Sequence, residues 1–233
     1  MDVLVIDIGG SHVKLFASSA AEPRGFDSHP GLTPQETIER ALEATRDWRF
    51  DAVSLGYPGL TDADGPLKEP GNLGPGWIGF DFASRIGKPV RVINDAVMQA
   101  LGGYEGGRML FLGLGTGLGS ALVSDHVIVP LELGDLPTHA GDTFGERLGR
   151  EGFERLPFDV WMGALQDAVE TLRPAFAADC VLLGGGNAQR VEKLPDRTRR
   201  ADPDAAFVGG FRLWEEPIEP HDRSPRLAWR VVR

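Results

Sequence analysis

The first strong pattern in the chain is a continuous apolar run, Val3-Leu4-Val5-Ile6. A run without polar alternation marks a strand buried on both faces of a sheet. It ends in Asp7-Ile8-Gly9-Gly10-Ser11-His12-Val13-Lys14, after which Val13, Leu15 and Ala17 alternate with polar or small residues. That change of period predicts the second strand of a hairpin. Residues 18–32 are polar and loop-rich. Thr33 then reads as a helix cap, with Pro34 in the first turn and Glu36 closing a capping box. Ile38, Ala41, Leu42, Thr45 and Trp48 follow at helical spacing and predict one buried face. Residues 50–55 read as the next buried strand. Strand, strand, helix, strand is the start of an α/β domain.

The pattern continues through a Gly/Pro cluster, Gly56-Tyr57-Pro58-Gly59, at a strand's carboxyl end, where α/β folds place ligands. A surface turn is expected at residues 61–65, and a short helix containing Phe82, Ala83 and Ile86 ends at Gly87. Residues 89–93 are a strand, and Asp95 can cap the helix over 96–101. Strands follow at 108–114, 120–123 and 126–131, repeating the strand, glycine loop, strand arrangement of residues 3–17. Two similar halves around a cleft are therefore expected. Residues 142–156 are charged and helical. Val160, Ala164, Leu165, Ala168, Val169 and Leu172 make a helix face ending at Pro174. Residues 180–183 are a buried strand, with a short helix at 189–194. The last residues, 217–233, read as a tail with a late strand at 227–232.

Composition narrows the function classes. The chain has 233 residues, enough for one large or two small domains with a real core. Its 31 glycines cluster, which marks functional loops. With 24 Lys plus Arg against 34 Asp plus Glu, the net charge is −10. That argues against a general nucleic-acid or anionic-membrane binder, while local loops can still hold a small anion. Cys180, the one cysteine, lies in an apolar run and reads as a core residue that forms no intramolecular disulfide. Met1-Asp2 leads into a strand without a basic leader, and no apolar stretch approaches the roughly 18 residues that span a bilayer. A cytoplasmic enzyme is the expectation.

The candidate chemistry centres on Val92-Ile93-Asn94-Asp95, where a strand ends in a carboxylate. Glycine-rich stretches lie on either side, Asp7-Ile8-Gly9-Gly10-Ser11 and Gly113-Leu114-Gly115-Thr116-Gly117. Gly9 and Gly10 let backbone N–H groups approach an anion. Ser11 adds a hydroxyl and Lys14 a cation. The loop leads into a strand rather than a helix, so it is not a Walker A loop. Asp7 can hold Mg2+, directly or through water. The plain alternative is an ordinary Gly-Gly hairpin with a solvated Asp7. Asn72 suits a polyhydroxy ligand. Trp77, beside Ile78 and Phe80, reads as core more readily than as a sugar-stacking ring. Gly184-Gly185-Gly186 opens a helix on whose N-terminus a nucleotide or phosphate chain can lie. Glu146 is a solvated helix residue or a further sugar ligand. Arg197, Arg199 and Arg200 form either a solvated basic loop or a path for a polyanionic donor.

In their order, these motifs resemble the ROK family of sugar kinases, within the actin-like ATPase superfamily. The matching residues are Asp7 to Ser11, Gly56-Tyr57-Pro58-Gly59, Asn94-Asp95, Gly113 to Gly119, Glu132-Leu133-Gly134 and Leu183-Gly184-Gly185-Gly186-Asn187. Asn72-Leu73 followed by Trp77-Ile78-Gly79 most resembles the polyphosphate glucokinase branch. The resemblance implies a two-lobed α/β, ribonuclease H-like fold with a ligand cleft between lobes at 1–95 and 96–233. It implies Asp95 as general base on a sugar hydroxyl, with Asn72, Asn94, Glu132 and Gly59 on the sugar. It places ATP or polyphosphate, with Mg2+, on the loops containing Gly9, Gly10, Ser11, Gly115, Thr116, Gly117, Gly185 and Gly186. The expected reaction is glucose to glucose 6-phosphate. An ATP-only kinase for another, amino, sugar is the alternative within enzymes. A non-catalytic sugar sensor is the other, disfavoured because family regulators carry an N-terminal DNA-binding helix pair and here the first strand begins at Val3. The chain departs from the family at Asp135, where His usually follows Glu-x-Gly, and it lacks the Cys-rich zinc motif, so no zinc is expected. His139 is the candidate to replace the missing His. Family members are often dimers, so a homodimer is possible.

Overall fold

The computed structural model describes residues 1–62, 64–124, 127–215, 218–220 and 229–231. The first half begins with β1 (Val3–Ile8), β2 (His12–Ala17) and β3 (Arg24–Asp27), then α1 (Pro34–Ala44) and β4 (Ala52–Tyr57). A two-stranded ribbon, β5 (Thr61–Asp62) with β6 (Gly65–Pro66), precedes α2 (Phe82–Ile86), β7 (Val90–Asn94) and α3 (Asp95–Gly102). The second half holds β8 (Met109–Leu114), β9 (Leu118–Ser124), β10 (Val127–Leu131), α4 (Phe144–Leu148), α5 (Arg150–Arg155) and α6 (Phe158–Ala175). It ends with β11 (Cys180–Gly184), β12 (Thr198–Arg200), α7 (Ala205–Glu215), β13 (Ile218–Pro220) and β14 (Trp229–Val231).

The two halves share one topology. The first sheet runs β3-β2-β1-β4-β7 and the second β12-β11-β8-β9-β10, extended by β14 and β13. In each, three antiparallel strands come first and two parallel strands are added beside the first of them. β1 and β4 are buried along their whole length, as their largely apolar sequences require, with Asp7 and Ser54 the polar residues among them. α3 follows the last strand of the first sheet, yet its apolar residues share one core with β8 and β9. α7 crosses it and packs on β1 and β4: Ser54 Oγ donates to the Gly210 carbonyl at 2.6 Å and accepts from Trp214 Nε1 at 2.8 Å. The crossing is close because both helices bring glycine to it. A Cβ at Gly102 would overlap the Ala205 carbonyl, and one at Gly209 the Met98 carbonyl.

Several elements differ from the expectation. Thr33 caps α1, accepting from the Glu36 N–H at 3.3 Å, but the Glu36 carboxylate pairs with His29 and Arg40 instead of closing a box. α1 stops at Ala44, before Trp48. α6 runs past Pro174 to Ala175; Trp161, not the exposed Val160, carries its buried face. The helix expected at 189–194 is a 3-10 turn at Gly186–Arg190. α7 is a helix that two adjacent glycines hid. Trp77 is fully buried, its ring beside Tyr57 and Phe82 and its Nε1 donating to the Gly74 carbonyl at 2.7 Å, so it is core and does not stack on a sugar. Cys180 is half-buried beside the shared core. The late strand is described only at β14. Ala63, in the expected turn, and His126, at the start of an expected strand, lie outside the described residues.

Candidate active site

Asp7 sits one residue before the end of β1, opposite Lys14 on β2 and beside Gly56 on β4. A Cβ at Gly56 would press on the Met98 side chain and come within 3.2 Å of Asp7 Oδ1, so glycine there makes room for the carboxylate. Asp7 is 8% exposed. Burial pushes its carboxyl up to about 6, against the pull of the Lys14 charge. Asp95 is the first residue of α3, and its Oδ1 accepts from the Ala96 N–H at 2.8 Å. Burial and the negative charge of Asp7 push it up to about 7, with a smaller push from Glu132. Desolvation, then Asp135, raise Glu132, and Lys68 pulls it down.

Asn94, not Asp95, is the helix cap. Its Oδ1 accepts from the Val97 N–H at 3.0 Å and its Nδ2 donates to the Gly59 carbonyl at 3.0 Å. Asn94 therefore ties the end of β7 to the Pro58-Gly59 loop and aims Asp95. The loop that carries Asn72 is folded around Glu69, whose carboxylate accepts from the N–H groups of Gly76, Trp77 and Ile78. Asn72 then lies on the first glycine turn: a Cβ at Gly10 would overlap its Nδ2 and come within 3.2 Å of Thr116 Oγ1. Gly10 is thus where the two turns meet.

In the first turn, the Gly9 N–H is used on the His12 carbonyl at 2.9 Å; in the second, the Gly115 N–H is used on Gly113 and Gly117. The N–H groups of Gly10, Ser11, Thr116 and Gly117 make no hydrogen bond within the described residues. Unpaired N–H groups in paired turns are an anion cradle. Gly185 takes φ +80°, and a Cβ there would lie 2.5 Å from the Leu114 carbonyl, so this turn also needs glycine.

One cavity of about 500 Å³ is lined by Asp7, Gly9, Gly10, Ser11, Lys14, Gly59, Asn72, Asn94, Asp95, Gly115, Thr116, Gly117, Glu132, Gly185 and Gly186. These are the residues that the sequence singled out, brought together from both sheets. His139 is exposed and is not brought to the cavity; nor is Asp135. Glu146 closes the capping box of α4 with Thr143. Arg200 donates to the Ala188 and Val191 carbonyls, and Arg199 to the Gly103 carbonyl while pairing with Glu105. Those two guanidiniums tie loops together. Sequence reasoning missed Arg150, His12, Gln99 and Phe111, which also line the cavity. Arg150 follows Gly149 in a charged helical stretch, where nothing local separates it from Arg147 or Arg155.

The cavity joins anion-holding backbone on one side to raised carboxylates and an amide on the other. The negative charge of Asp7 acts on Asp95 across this side of the cavity. Among the described residues no group of three or more His, Cys, Asp or Glu is placed to hold a metal ion. A site of one or two carboxylates completed by substrate phosphates suits Mg2+, which keeps most of its other ligands as water.

No protein-family profile matches the chain. The polyphosphate glucokinase of Mycobacterium tuberculosis is 26% identical over 212 residues, covering 81% of this chain and 78% of that protein. Among solved structures, an inorganic polyphosphate/ATP-glucomannokinase from Arthrobacter sp. strain KM superposes with a TM-score of 0.77 at 24% identity, covering 89% of this chain and 96% of that one. A ROK family glucokinase from Streptomyces griseus, solved with glucose and AMPPNP, gives a TM-score of 0.69 at 16% identity, covering 90% and 97%. The fold is that of the ROK sugar kinases, the actin-like ATPase fold, and the sequence is similar to polyphosphate glucokinases.

Proposed function

We propose that this chain, a structural relative of ROK sugar kinases, transfers the terminal phosphoryl group of polyphosphate or ATP to a hexose hydroxyl, with glucose the first acceptor to test. The carrying observation is the Asp95 carboxylate at the end of β7, facing a cavity walled by two glycine turns with unpaired N–H groups. In phosphoryl transfer the protein mainly positions groups and stabilises charge. The turns hold the donor through backbone N–H groups. Asn72 lies where donor and acceptor meet, and Glu132 faces the acceptor side. Asp95 takes the hydroxyl proton as the sugar oxygen bonds to phosphorus, and the donor leaves one phosphate shorter. A carboxylate held near 7 is matched to this work, because about half of it is ionised at neutral pH while it is basic enough to accept a proton. Asn94 acts through its cap and its bond to Gly59, keeping Asp95 aimed.

Asp7 would hold Mg2+, with Asp95 close by and phosphate oxygens completing the shell; bound there, the ion would neutralise charge on the donor. We place the enzyme in the cytoplasm, where phosphorylated nucleotides are available; no helix among the described residues is long and apolar enough to cross a membrane. We also place the lobe boundary near residue 95, with α7 returning to the first sheet.

The test is a coupled assay of the purified protein over a sugar panel, with ATP and with polyphosphate, alongside Asp95→Asn. Phosphorylation of a hexose by the wild type and its loss in the variant are expected. No phosphorylated sugar with either donor refutes the reading, and full activity in Asp95→Asn refutes the base assignment.

A further inference from the structure

Three buried or crowded carboxylates, Asp7, Asp95 and Glu132, line the cavity that a polyanionic donor must enter. The chain as a whole is also acidic, at −10. Cations at the mouth must offset that repulsion, and Lys14 is already opposed by Asp7.

Arg150 is placed for this. It opens α5, and α5 starts against the second glycine turn. A Cβ at Gly149 would lie 2.6 Å from the Thr116 carbonyl and 2.9 Å from Gly117 Cα, so glycine there permits the close approach. The Arg150 N–H then donates to the Thr116 carbonyl at 3.2 Å. Its guanidinium reaches across the cleft, where Nη2 donates to Ser11 Oγ at 2.8 Å. One residue thus holds both turns. Its neighbours Arg147 and Arg155 both pair with Asp142, at 2.8 and 3.6 Å. Among the described residues no carboxylate pairs with Arg150, and Ser11 is the one partner of its side chain. A guanidinium has five donors in a planar fork. A single neutral hydroxyl uses one of them, whereas a phosphate accepts two in parallel from the charged group.

We propose that Arg150 is a donor-binding residue, exchanging the Ser11 hydroxyl for the phosphate oxygens of a polyphosphate chain, whether inorganic or the tail of a nucleotide. The assignment rests on the kinase reading. It also makes the bond to Ser11 a resting contact that keeps the fork at the cleft mouth until donor arrives.

The test compares wild type with Arg150→Gln and Arg150→Lys in magnesium-containing buffer. Binding of inorganic tripolyphosphate and of ATP is measured by calorimetry without sugar, and KM for donor and sugar is measured separately. Losing a charge-assisted contact of this kind weakens binding on the order of 10- to 100-fold. Tripolyphosphate binding and donor KM should change by that factor in Arg150→Gln, with sugar KM within about twofold and the melting temperature unchanged. Arg150→Lys should recover only part, because it keeps the charge and loses the fork. A larger loss for tripolyphosphate than for ATP assigns the contact to the inorganic chain; equal losses assign it to a subsite both donors use. If Arg150→Gln binds both donors as the wild type does, or raises both KM values equally, Arg150 is a latch between lobes and the proposal falls. If the wild type phosphorylates no sugar but loses tripolyphosphate binding on substitution, the kinase reading falls and the Arg150 site stands. If the wild type binds neither donor, the Arg150 site falls.

Discussion

Replacing Asp95 by Asn should stabilise the protein at the pH where it abolishes activity. Asp95 is a carboxylate whose ordinary value of 3.8 is raised to about 7 by burial, by Asp7 and by Glu132. In the unfolded chain the group loses its proton near pH 4; in the folded chain it keeps it until about 7. The native state therefore binds more protons than the unfolded state between those values, and native stability falls as pH rises through that window. The full gap corresponds to about 4 kcal/mol at about 1.4 kcal/mol per pH unit. Because Asp7 and Asp95 share the penalty, roughly 2–4 kcal/mol is the gain expected from Asp95→Asn above pH 7. The Asn side chain keeps an oxygen for the Ala96 N–H, so the start of α3 is preserved. For a domain of this size, 1 kcal/mol moves the melting temperature by about 2–4 °C. Melts of both proteins at intervals from pH 5 to 8.5 should show the variant higher by about 5–10 °C at pH 8, with the gap narrowing as pH falls. A gap that is absent, reversed or independent of pH would mean that Asp95 is not held in a costly ionised state, and its role as a poised base would lose its physical support.

On the proposed mechanism the same carboxylate should set the pH–rate profile: kcat/KM, which reports the free enzyme, should fall about tenfold per pH unit below about 7 and level off above it. An acid limb centred near pH 4 would contradict this. Gly10→Ala places a methyl group against Asn72 Nδ2 and near Thr116 Oγ1, so KM for sugar and donor should both rise, with little change in melting temperature. Unchanged KM values would show that the turns do not meet there in the working enzyme. Ser54→Ala removes the buried hydroxyl that donates to the Gly210 carbonyl and accepts from the Trp214 indole N–H, leaving the indole N–H without this partner. It should lower stability by about 1–3 kcal/mol in urea unfolding without changing sugar KM.

The parts of this molecule legible in the sequence are those whose signal is local. β1, β4 and β11 are largely apolar runs, and in the turns after β1 and β11 Gly10 and Gly185 sit where a Cβ would collide. Asp95 is legible as a strand end, and the order of the motifs gave the fold. The cap was misplaced because Asn94 and Asp95 are adjacent and both can cap; β7 pairs with β4 as far as Asn94, opposite Tyr57, and the helix starts at Asp95, one residue earlier than expected. α7 was hidden because Gly209 and Gly210 lower helix propensity, and their value appears only where they touch Met98 and Val5. Arg150 was hidden for the opposite reason. Its sequence neighbourhood holds three arginines, and only the fold shows that two have a carboxylate and the third does not.

The duplicated topology explains why the chemistry is divided as it is. Each half makes a hairpin turn after its first strand, and the crossing of α3 and α7 packs the halves into one core. Aligning the two turns places Asp7 opposite Gly113, Gly9 opposite Gly115 and Gly10 opposite Thr116. The first half has kept a carboxylate where the second has glycine. A carboxylate in both positions would repel a polyphosphate chain from each side, and glycine in both would leave it nothing to hold a cation or bias the proton transfer. The first half contributes Asp7, Asp95 and Lys14, the second half contributes Arg150, and the turns of both halves contribute backbone N–H groups; the cations and N–H groups are those that attract phosphate. On the proposed mechanism the asymmetry within the repeat leaves both turns to face the donor chain and sets the acceptor hydroxyl at Asp95, just past the end of β7.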